Sequence, residues 1–172
     1  MSRITLSDIE KIALNKALFI LDETTKDEVK KSFSFLQNFA SDKIIYGINT
    51  GFGPLCTSMI SAIDTRKLQE NILKSHAVGV GEPIDSEISK LMLVLKLQAL
   101  AQGYSGIKIE TLDRMIWFLE TGATPVVPKQ GSVGASGDLA PLSHLFLPLI
   151  GLGKVHYKGE TIATTELLKV HQ

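Results

Sequence analysis

The sequence predicts a mainly α-helical fold with a few short β strands or hairpins. Apolar residues return every three or four positions in several segments of the 172-residue chain, which is the spacing of one helix face. Segments typical of strands are short and are bounded by glycine and proline. Hydrophobic residues make up 44% of the chain and charged residues 21%, as in a globular domain with its own core. We therefore expect one domain.

Two amphipathic helices are predicted in the first part of the chain. Ser7 and Glu10 have the spacing of a capping box and predict a helix from about Asp8. Thr25 is the predicted N-cap of the second helix, because the apolar residues that follow share one face. These residues are Val29, Phe33, Leu36, Phe39 and Ala40. The stretch "KIIYGINTGFGPL" then breaks the helical period, and we expect a short strand over 44–46 followed by a glycine-rich loop.

Three further helices are predicted in the middle of the chain. The first runs from Asp64 to about His76, where "VGVGEP" supplies turn-forming residues. The second begins at Asp85 or Ser86 and is apolar on nearly all sides, so we expect it to be the longest helix and the most central. The third spans 109–120 and is followed by a glycine stop signal.

Prolines lie on both sides of a second glycine-rich loop and restrict the backbone there. Pro125 and Pro128 predict a stiff, extended approach to "GSVGASGDL". Pro141 fits the first turn of the helix beyond the loop, because a missing N–H has no cost there. Pro148 should end or kink that helix.

The end of the sequence predicts a hairpin and a short helix. "KVHYKGETI" has strand-like residues on both sides of Lys158 and Gly159, which should form the turn. Thr164 or Thr165 can then cap a helix of about two turns, fewer than an isolated helix needs. We therefore expect the chain to stop within a structural element.

Charge and cysteine content narrow the classes of function. Lys+Arg and Asp+Glu are balanced at 18 each, so no electrostatic signal for nucleic acid or an anionic membrane is present. The single cysteine, Cys56, cannot form an internal disulfide, and the four histidines show no metal-ligand spacing. The sequence has no signal-peptide pattern and no apolar run long enough to span a membrane. We expect a cytoplasmic protein that uses neither a metal nor a nucleotide.

The segment "GSVGASGDLAPLSHL", residues 131–145, has several interpretations on its residues alone. A plain connector between elements is the simplest. A phosphate-binding loop is disfavoured because Asp138 follows Gly137, where a P-loop has lysine. A nucleophile elbow around Ser136, with His144 as base, is disfavoured because Asp138 replaces the final glycine of that pattern.

The triplet Ala135-Ser136-Gly137 also permits a rarer chemistry. Small residues on both sides of a serine let the backbone fold tightly, so the Gly137 nitrogen can approach the Ala135 carbonyl carbon. Closure of that five-membered ring, with loss of water from the ring and from Ser136, would leave a dehydroalanine conjugated to an imidazolone. No standard side chain supplies such an electrophile.

This segment resembles the signature of the aromatic amino acid ammonia-lyases and aminomutases. In that family the prosthetic group, 4-methylidene-imidazole-5-one, forms autocatalytically from Ala-Ser-Gly. Three other segments are similar to blocks of the same family in the same order: "YGINTGFGPL" at 46–55, "LQENILKSHAVGVGEP" at 68–83 and "QGYSGIK" at 102–108. The resemblance implies the helical ammonia-lyase fold, which is fumarase/aspartase-like, and removal of ammonia across the Cα–Cβ bond of an α-amino acid.

The resemblance also implies roles for particular residues. Tyr46 matches the base that takes the β-proton, and Ala135-Ser136-Gly137 match the electrophile. Ser75 and His76 match the pair that faces the substrate side chain, and a serine-histidine pair favours histidine, with tyrosine or phenylalanine as alternatives. The segment that follows Tyr46 contributes further substrate-binding positions, namely Asn49, Gly53 and Leu55.

Members of this family continue well beyond the length of this chain. Their active sites combine residues from three subunits of a homotetramer, including residues on a long helical bundle that residues 1–172 lack. We therefore expect 1–172 to be the N-terminal part of a histidine ammonia-lyase, inactive alone, with apolar helix faces exposed and a tendency to form homo-oligomers. The alternatives are a tyrosine or phenylalanine ammonia-lyase, an aminomutase, and a non-catalytic truncated paralogue that pairs with other subunits.

Overall fold

Helices form most of the structure, a computed structural model that describes residues 5–41, 43–51, 57, 59–134 and 137–171. The helices are α1 (Leu6–Ala13), α2 (Glu23–Phe39), α3 (Ala62–His76), α4 (Ser86–Leu100), α5 (Ile109–Glu120), α6 (Leu139–Phe146) and α7 (Thr164–Val170). The strands are β1 (Val80–Pro83), β2 (Thr124–Pro125), β3 (Pro128–Gln130), β4 (Lys154–Tyr157) and β5 (Glu160–Ala163). The predicted fold class, mainly α with short strands, is confirmed.

The strands pair in two small antiparallel sheets within the described residues. β1 pairs with β3, and Val80 lies opposite Gln130. The other sheet has the order β2-β4-β5, with the β4-β5 hairpin joined in a regular register. The pairing of β1 with β3 matters most for function, because β1 follows α3 and β3 leads directly into the glycine loop. It therefore places the end of α3 beside the start of that loop.

Helix α4 lies at the centre of the core, as predicted. Its residues Leu93, Val94 and Leu97 are buried, and they belong to the same apolar cluster as the buried residues of α5. Burial of each such side chain stabilises the fold by about 1.5–3 kcal/mol. The expectation that α4 is the longest helix was wrong, because α2 has 17 residues and α4 has 15.

The N-caps of the first three helices lie upstream of the predicted residues. Thr5 caps α1, where its hydroxyl accepts a hydrogen bond from the Asp8 N–H at 3.3 Å, and the Asp8 carboxylate accepts from the Thr5 N–H at 3.0 Å. The predicted capping residue Ser7 is therefore inside the helix. Asp22 caps α2 by accepting from the N–H of Thr25 at 2.7 Å, so Thr25 lies in the first turn.

The starts of α3 and α7 need similar corrections. Ser61 caps α3 by accepting from the N–H of Asp64 at 3.2 Å. Ala163 is the N-cap of α7, and its N–H donates to the Glu166 carboxylate at 3.2 Å, so neither Thr164 nor Thr165 is the cap. Polar residues that suit a cap also suit the first turn, so local sequence leaves this choice open.

The strand predicted over 44–46 is absent, and the chain forms a turn there. The Ile45 carbonyl accepts hydrogen bonds from the N–H groups of Ile48 and Asn49 at 3.1 and 3.2 Å. The Asn49 side chain accepts from the Ile45 N–H at 2.8 Å. These local bonds satisfy backbone groups that a strand would pair with a neighbour.

The predictions for α5, α6 and the β4-β5 hairpin are confirmed, whereas strand β1 forms within "VGVGEP", where turns are predicted. Helix α5 spans the predicted residues, and Pro141 lies in the first turn of α6, which ends before Pro148. The β4-β5 hairpin turns at Lys158 and Gly159, whose φ angles of 51° and 84° are both left-handed. None of the described helices is long and apolar enough to cross a membrane.

Candidate functional site

Several residues implied for the site lie outside the described residues. They are Gly53, Leu55, Ala135 and Ser136, together with the single cysteine, Cys56. The remaining residues fall on three segments: the tyrosine loop (residues 43–51), the C-terminal end of α3, and the glycine loop (residues 131–138, of which 135 and 136 are not described).

Asn49 organises the tyrosine loop from inside. It is buried, and its amide nitrogen donates to the carbonyl oxygens of Ala40 and Lys43 at 3.0 and 2.7 Å. Its amide oxygen accepts from the Ile45 N–H. The side chain therefore links the end of α2 to the turn that carries Tyr46, which is 62% exposed.

The tyrosine loop is fastened to the start of α3. The Ile60 N–H donates to the Asn49 carbonyl at 2.8 Å, and Thr50 forms an antiparallel bridge with Met59. Ser61, the cap of α3, follows immediately. These contacts place the base of the loop at the N-terminal end of α3.

Ser75 and His76 form a local unit at the opposite end of α3. The Ser75 hydroxyl lies 3.0 Å from Nδ1 of His76, and this nitrogen lies 3.0 Å from the Ile72 carbonyl oxygen. With its proton on Nδ1, His76 donates to that carbonyl, which also accepts from the Ser75 hydroxyl at 3.2 Å. This geometry orients the imidazole.

The segment after α3 packs closely against the glycine loop and α6. The Gly79 N–H donates to Nε2 of His144 at 3.0 Å. A Cβ at Gly79 would lie 3.1 Å from the His144 ring, and a Cβ at Gly131 would lie 3.2 Å from the Gly79 Cα. Glycine at both positions therefore permits this close approach.

His144 has a structural role in this packing. Burial lowers the pKa of its imidazole, because the charged form loses solvation. The neutral ring can accept the Gly79 hydrogen bond at Nε2. This engagement disfavours the interpretation of His144 as the base of a nucleophile elbow.

The described residues of the glycine loop adopt compact, left-handed backbone geometry. The φ angles are 46° at Gly134, 87° at Gly137 and 50° at Asp138. For a residue with a Cβ, such as Asp138, this conformation costs about 1–2 kcal/mol. The Ser132 hydroxyl donates to Oδ1 of Asp138, which joins the two ends of the loop.

The structure groups some of the implied site residues and separates others. Ser75 and His76 lie four and three residues before Gly79, which contacts the glycine loop directly. The tyrosine loop is anchored at the other end of α3, whose 15 residues span about 22 Å. The contacts that hold the tyrosine loop, at Met59 and Ile60, and the contact of Gly79 with the glycine loop are thus at opposite ends of α3.

A broad cavity of about 1470 Å³ lies on the tyrosine-loop side of the molecule. It runs between α2, α3 and α5, and its walls include Leu36, Asn49, Leu73 and Arg114. No local sequence pattern predicts this cavity, because its walls come from elements that are distant along the chain. In the described part of the chain, no group of three or more His, Cys, Asp or Glu residues could hold a metal ion.

Comparison with known sequences gives consistent matches. Residues 4–172 match the family model of the aromatic amino acid lyases. The chain is 44% identical over 169 residues to a histidine ammonia-lyase of Symbiobacterium thermophilum, covering 98% of this chain and 33% of that protein. It is 40% identical over 166 residues to a histidine ammonia-lyase of Streptococcus pyogenes serotype M49, covering 96% of this chain and 32% of that protein. The chain thus spans about a third of the length of these relatives.

Solved structures of three enzymes are also similar. The ergothionase of Treponema denticola matches with a TM-score of 0.92 at 28% identity, covering 98% of this chain and 34% of that chain. The histidine ammonia-lyase of Trypanosoma cruzi gives 0.86 at 29% identity, covering 97% and 33%. The tyrosine aminomutase of Streptomyces globisporus gives 0.87 at 29% identity, covering 97% and 31%.

Proposed function

Because the chain belongs to the aromatic amino acid lyase family, we propose that it forms the N-terminal part of a histidine ammonia-lyase. Such an enzyme eliminates ammonia from L-histidine to give trans-urocanate. The observation that carries the choice of substrate is the identity of 44% and 40% to histidine ammonia-lyases. The Ser75-His76 pair supports it, because the pair ends α3 shortly before Gly79, which contacts Gly131, and an imidazole there can hydrogen-bond to the imidazole of the substrate.

The glycine loop fits a prosthetic group made from Ala135, Ser136 and Gly137. Gly137 is left-handed, and no described atom lies within 4 Å of a Cβ built on it, so there is room beside Gly137 for a planar ring. When formed, 4-methylidene-imidazole-5-one supplies an electrophile that draws electron density from the substrate and makes ammonia a better leaving group.

The residues of the chain itself bind and position the substrate and move its β-proton. Tyr46, held on the turn that Asn49 organises, takes the proton from Cβ. General-base catalysis of this kind typically contributes about 10²–10⁴-fold to the rate. Ser75 fixes the ring of His76, which orients the substrate side chain.

The tyrosine loop and the glycine loop are held at opposite ends of α3, and this separation bears on how subunits assemble. If Tyr46 and the Ala-Ser-Gly ring act on one substrate molecule, they are most simply supplied by different subunits of a homo-oligomer. We propose a homotetramer in the cytoplasm, with a small amino acid as its substrate and neither nucleic acid nor membrane as a partner.

The test combines turnover with intact mass. The full-length protein is incubated with L-histidine, L-tyrosine or L-phenylalanine. The ultraviolet absorbance of the conjugated acrylate product is followed. We expect urocanate from histidine, and a mass lower than the sequence mass by two waters. Residues 1–172 alone should give negligible turnover, and measurable urocanate from them would contradict that expectation.

Two other functions would be recognised in the same experiment. The similarity to a tyrosine aminomutase favours β-amino acid formation as the second candidate, which chromatography of the products would detect. An unmodified mass with no turnover would favour a non-catalytic subunit that pairs through exposed apolar faces, such as that of Ile88 and Leu95 on α4, which are 48% and 52% exposed.

A further inference from the structure

A histidine of α6 is hydrogen-bonded to the segment that follows α3. Nε2 of His144 accepts from the Gly79 N–H at 3.0 Å, although the two residues are 65 positions apart in the chain. The imidazole is half-buried, and burial lowers its pKa, so the neutral ring that can accept this bond is favoured. The bond therefore fastens the chain beyond α3 to α6.

A tight turn joins Gly79 to the Ser75-His76 pair. The Val78 N–H donates to the His76 carbonyl oxygen at 2.8 Å. Between them, Ala77 has φ of −78° and ψ of 61°, which is the geometry of an inverse γ-turn. The next N–H along the chain is that of Gly79. A single hydrogen-bonded turn thus separates His76 from the bond to α6.

The packing around Gly79 is close on the side of α6 and on the side of β3. A Cβ at Gly79 would lie 3.1 Å from the His144 ring and 3.2 Å from the Gln130 carbonyl oxygen. Gln130 belongs to β3, which pairs with β1, and α6 packs against α3. Gly79 is therefore held by a side chain of α6 as well as by the backbone of β3.

We propose that His144 is a positioning residue for the Ser75-His76 pair. By accepting from the Gly79 N–H it fixes the γ-turn that follows α3, and with it the His76 imidazole that orients the substrate side chain. This inference rests on the proposed function. It assigns His144 no contact with the substrate and no part in proton transfer.

The experiment compares His144→Gln with His144→Leu in the full-length protein. Glutamine can place its amide oxygen near the position of Nε2 and accept the same hydrogen bond, whereas leucine has no acceptor. In His144→Leu we expect kcat/KM for L-histidine to fall about tenfold, as for loss of one hydrogen bond. His144→Gln should stay within about twofold of wild type, because the bond is kept.

His156→Leu is the matched control for loss of a half-buried imidazole. His156 lies on β4, and its Nδ1 is 3.0 Å from the Thr161 hydroxyl within the β4-β5 hairpin. This substitution removes a side-chain hydrogen bond of similar length that has no connection to the end of α3. It should leave kcat/KM at the wild-type value.

Two further measurements separate positioning from a purely structural role. In a His76→Ala background, His144→Leu should change kcat/KM by less than about twofold, since the side chain through which it acts is missing. Hydrogen exchange of the Gly79 amide reports the bond directly. We expect it to be about tenfold faster in His144→Leu than in wild type and nearly unchanged in His144→Gln.

A third variant decides the question if His144→Leu fails to fold. His144→Asn keeps a polar amide but places its oxygen near the position of Nδ1, too far back along the side chain to bond Gly79. It should lower kcat/KM as His144→Leu does.

The outcomes distinguish the inference from the proposed function. Wild-type kcat/KM in folded His144→Leu or His144→Asn would overturn the role of His144 and leave the proposed function intact. A loss that persists in full in the His76→Ala background would do the same. A full-length wild-type protein that releases no ammonia from histidine would refute the proposed function, and the inference would fail with it.

Discussion

At the scale of single residues, Asn49 and Tyr46 illustrate how a buried amide supports an exposed side chain. The Asn49 side chain makes hydrogen bonds to the backbone at Ala40, Lys43 and Ile45. A buried amide with this many partners fixes the local backbone, because leaving any of them unpaired would cost about 1–3 kcal/mol. The turn that carries Tyr46 is thereby defined by its own residues. The implied substrate-binding role of Asn49 remains a prediction.

The proposed role of Tyr46 as base predicts a large effect of Tyr46→Phe. This substitution removes only the hydroxyl, so kcat for histidine should fall by about 10²–10⁴-fold while the mass deficit of two waters persists. Urocanate absorbance under saturating histidine measures the effect. Tyr104→Phe is the matched control, since Tyr104 is 91% exposed on the loop after α4 and should retain full activity. A Tyr46→Phe enzyme with wild-type kcat would show that another group takes the proton.

Lys90 joins two elements through a single buried side chain. It is 8% exposed, and its ammonium group donates to the Ala13 carbonyl at 2.9 Å and to Oδ1 of Asn15. A positive charge at this point is also favourable because Ala13 ends α1. The bond holds the end of α1 against α4.

Burial of Lys90 predicts how the stability of the fold depends on pH. Burial lowers the pKa of its ammonium group below the ordinary value of 10.5, so the unfolded chain binds this proton more tightly than the native chain. The contribution of Lys90 to the free energy of unfolding therefore rises with pH between the pKa of its ammonium group in the native protein and 10.5. Lys90→Met should lose this rise and lower the free energy of unfolding at neutral pH by about 1–2 kcal/mol. Urea unfolding of both proteins across the alkaline range measures the difference, and identical slopes would contradict the prediction.

At the scale of elements, the β4-β5 hairpin contains a residue that is poorly suited to its conformation. Lys158 and Gly159 are both left-handed, which is the geometry of a type I′ turn. Asparagine tolerates the first of these positions better than lysine does.

Lys158→Asn should therefore raise the free energy of unfolding by about 0.4–1 kcal/mol. Chemical denaturation gives this value directly. The matched control is Lys154→Asn in strand β4, where asparagine is unfavourable and should lower stability. Equal effects of the two substitutions would mean that turn geometry is not the cause.

At the scale of the whole molecule, α3 sets the distance between the two halves of the site. The tyrosine loop is fastened beside the first residues of α3, and the segment after the last residue of α3 contacts the glycine loop. A helix of 15 residues is rigid over about 22 Å, so it holds these anchors apart. This arrangement agrees with an active site that subunits share.

The proposed sharing of active sites between subunits predicts complementation between inactive variants. Tyr46→Phe and Ser136→Ala should each abolish most activity alone. When the two chains are co-expressed, some sites in the mixed oligomers receive an intact tyrosine from one subunit and an intact ring from another. We expect activity to recover to roughly a quarter of wild type for random mixing. Mixed oligomers as inactive as the parents would show that one chain supplies both residues.

The sequence by itself determined the helical class, the positions of α4 and α5, the β4-β5 hairpin and the segments that resemble the lyase family. These features depend on local chemistry: apolar spacing, glycine, and proline. Only the tertiary structure decided which polar residue caps each helix, because neighbouring candidates such as Thr5 and Ser7 are equivalent locally. It also decided that residues 44–46 form a turn, that Gly79 meets His144, and that the tyrosine loop lies far along α3 from the glycine loop. The last two outcomes depend on contacts between residues distant in the chain, whose energies no local pattern records. The turn depends on hydrogen bonds of Ile45 with Ile48 and Asn49, which the strand-like composition of residues 44–46 does not reveal.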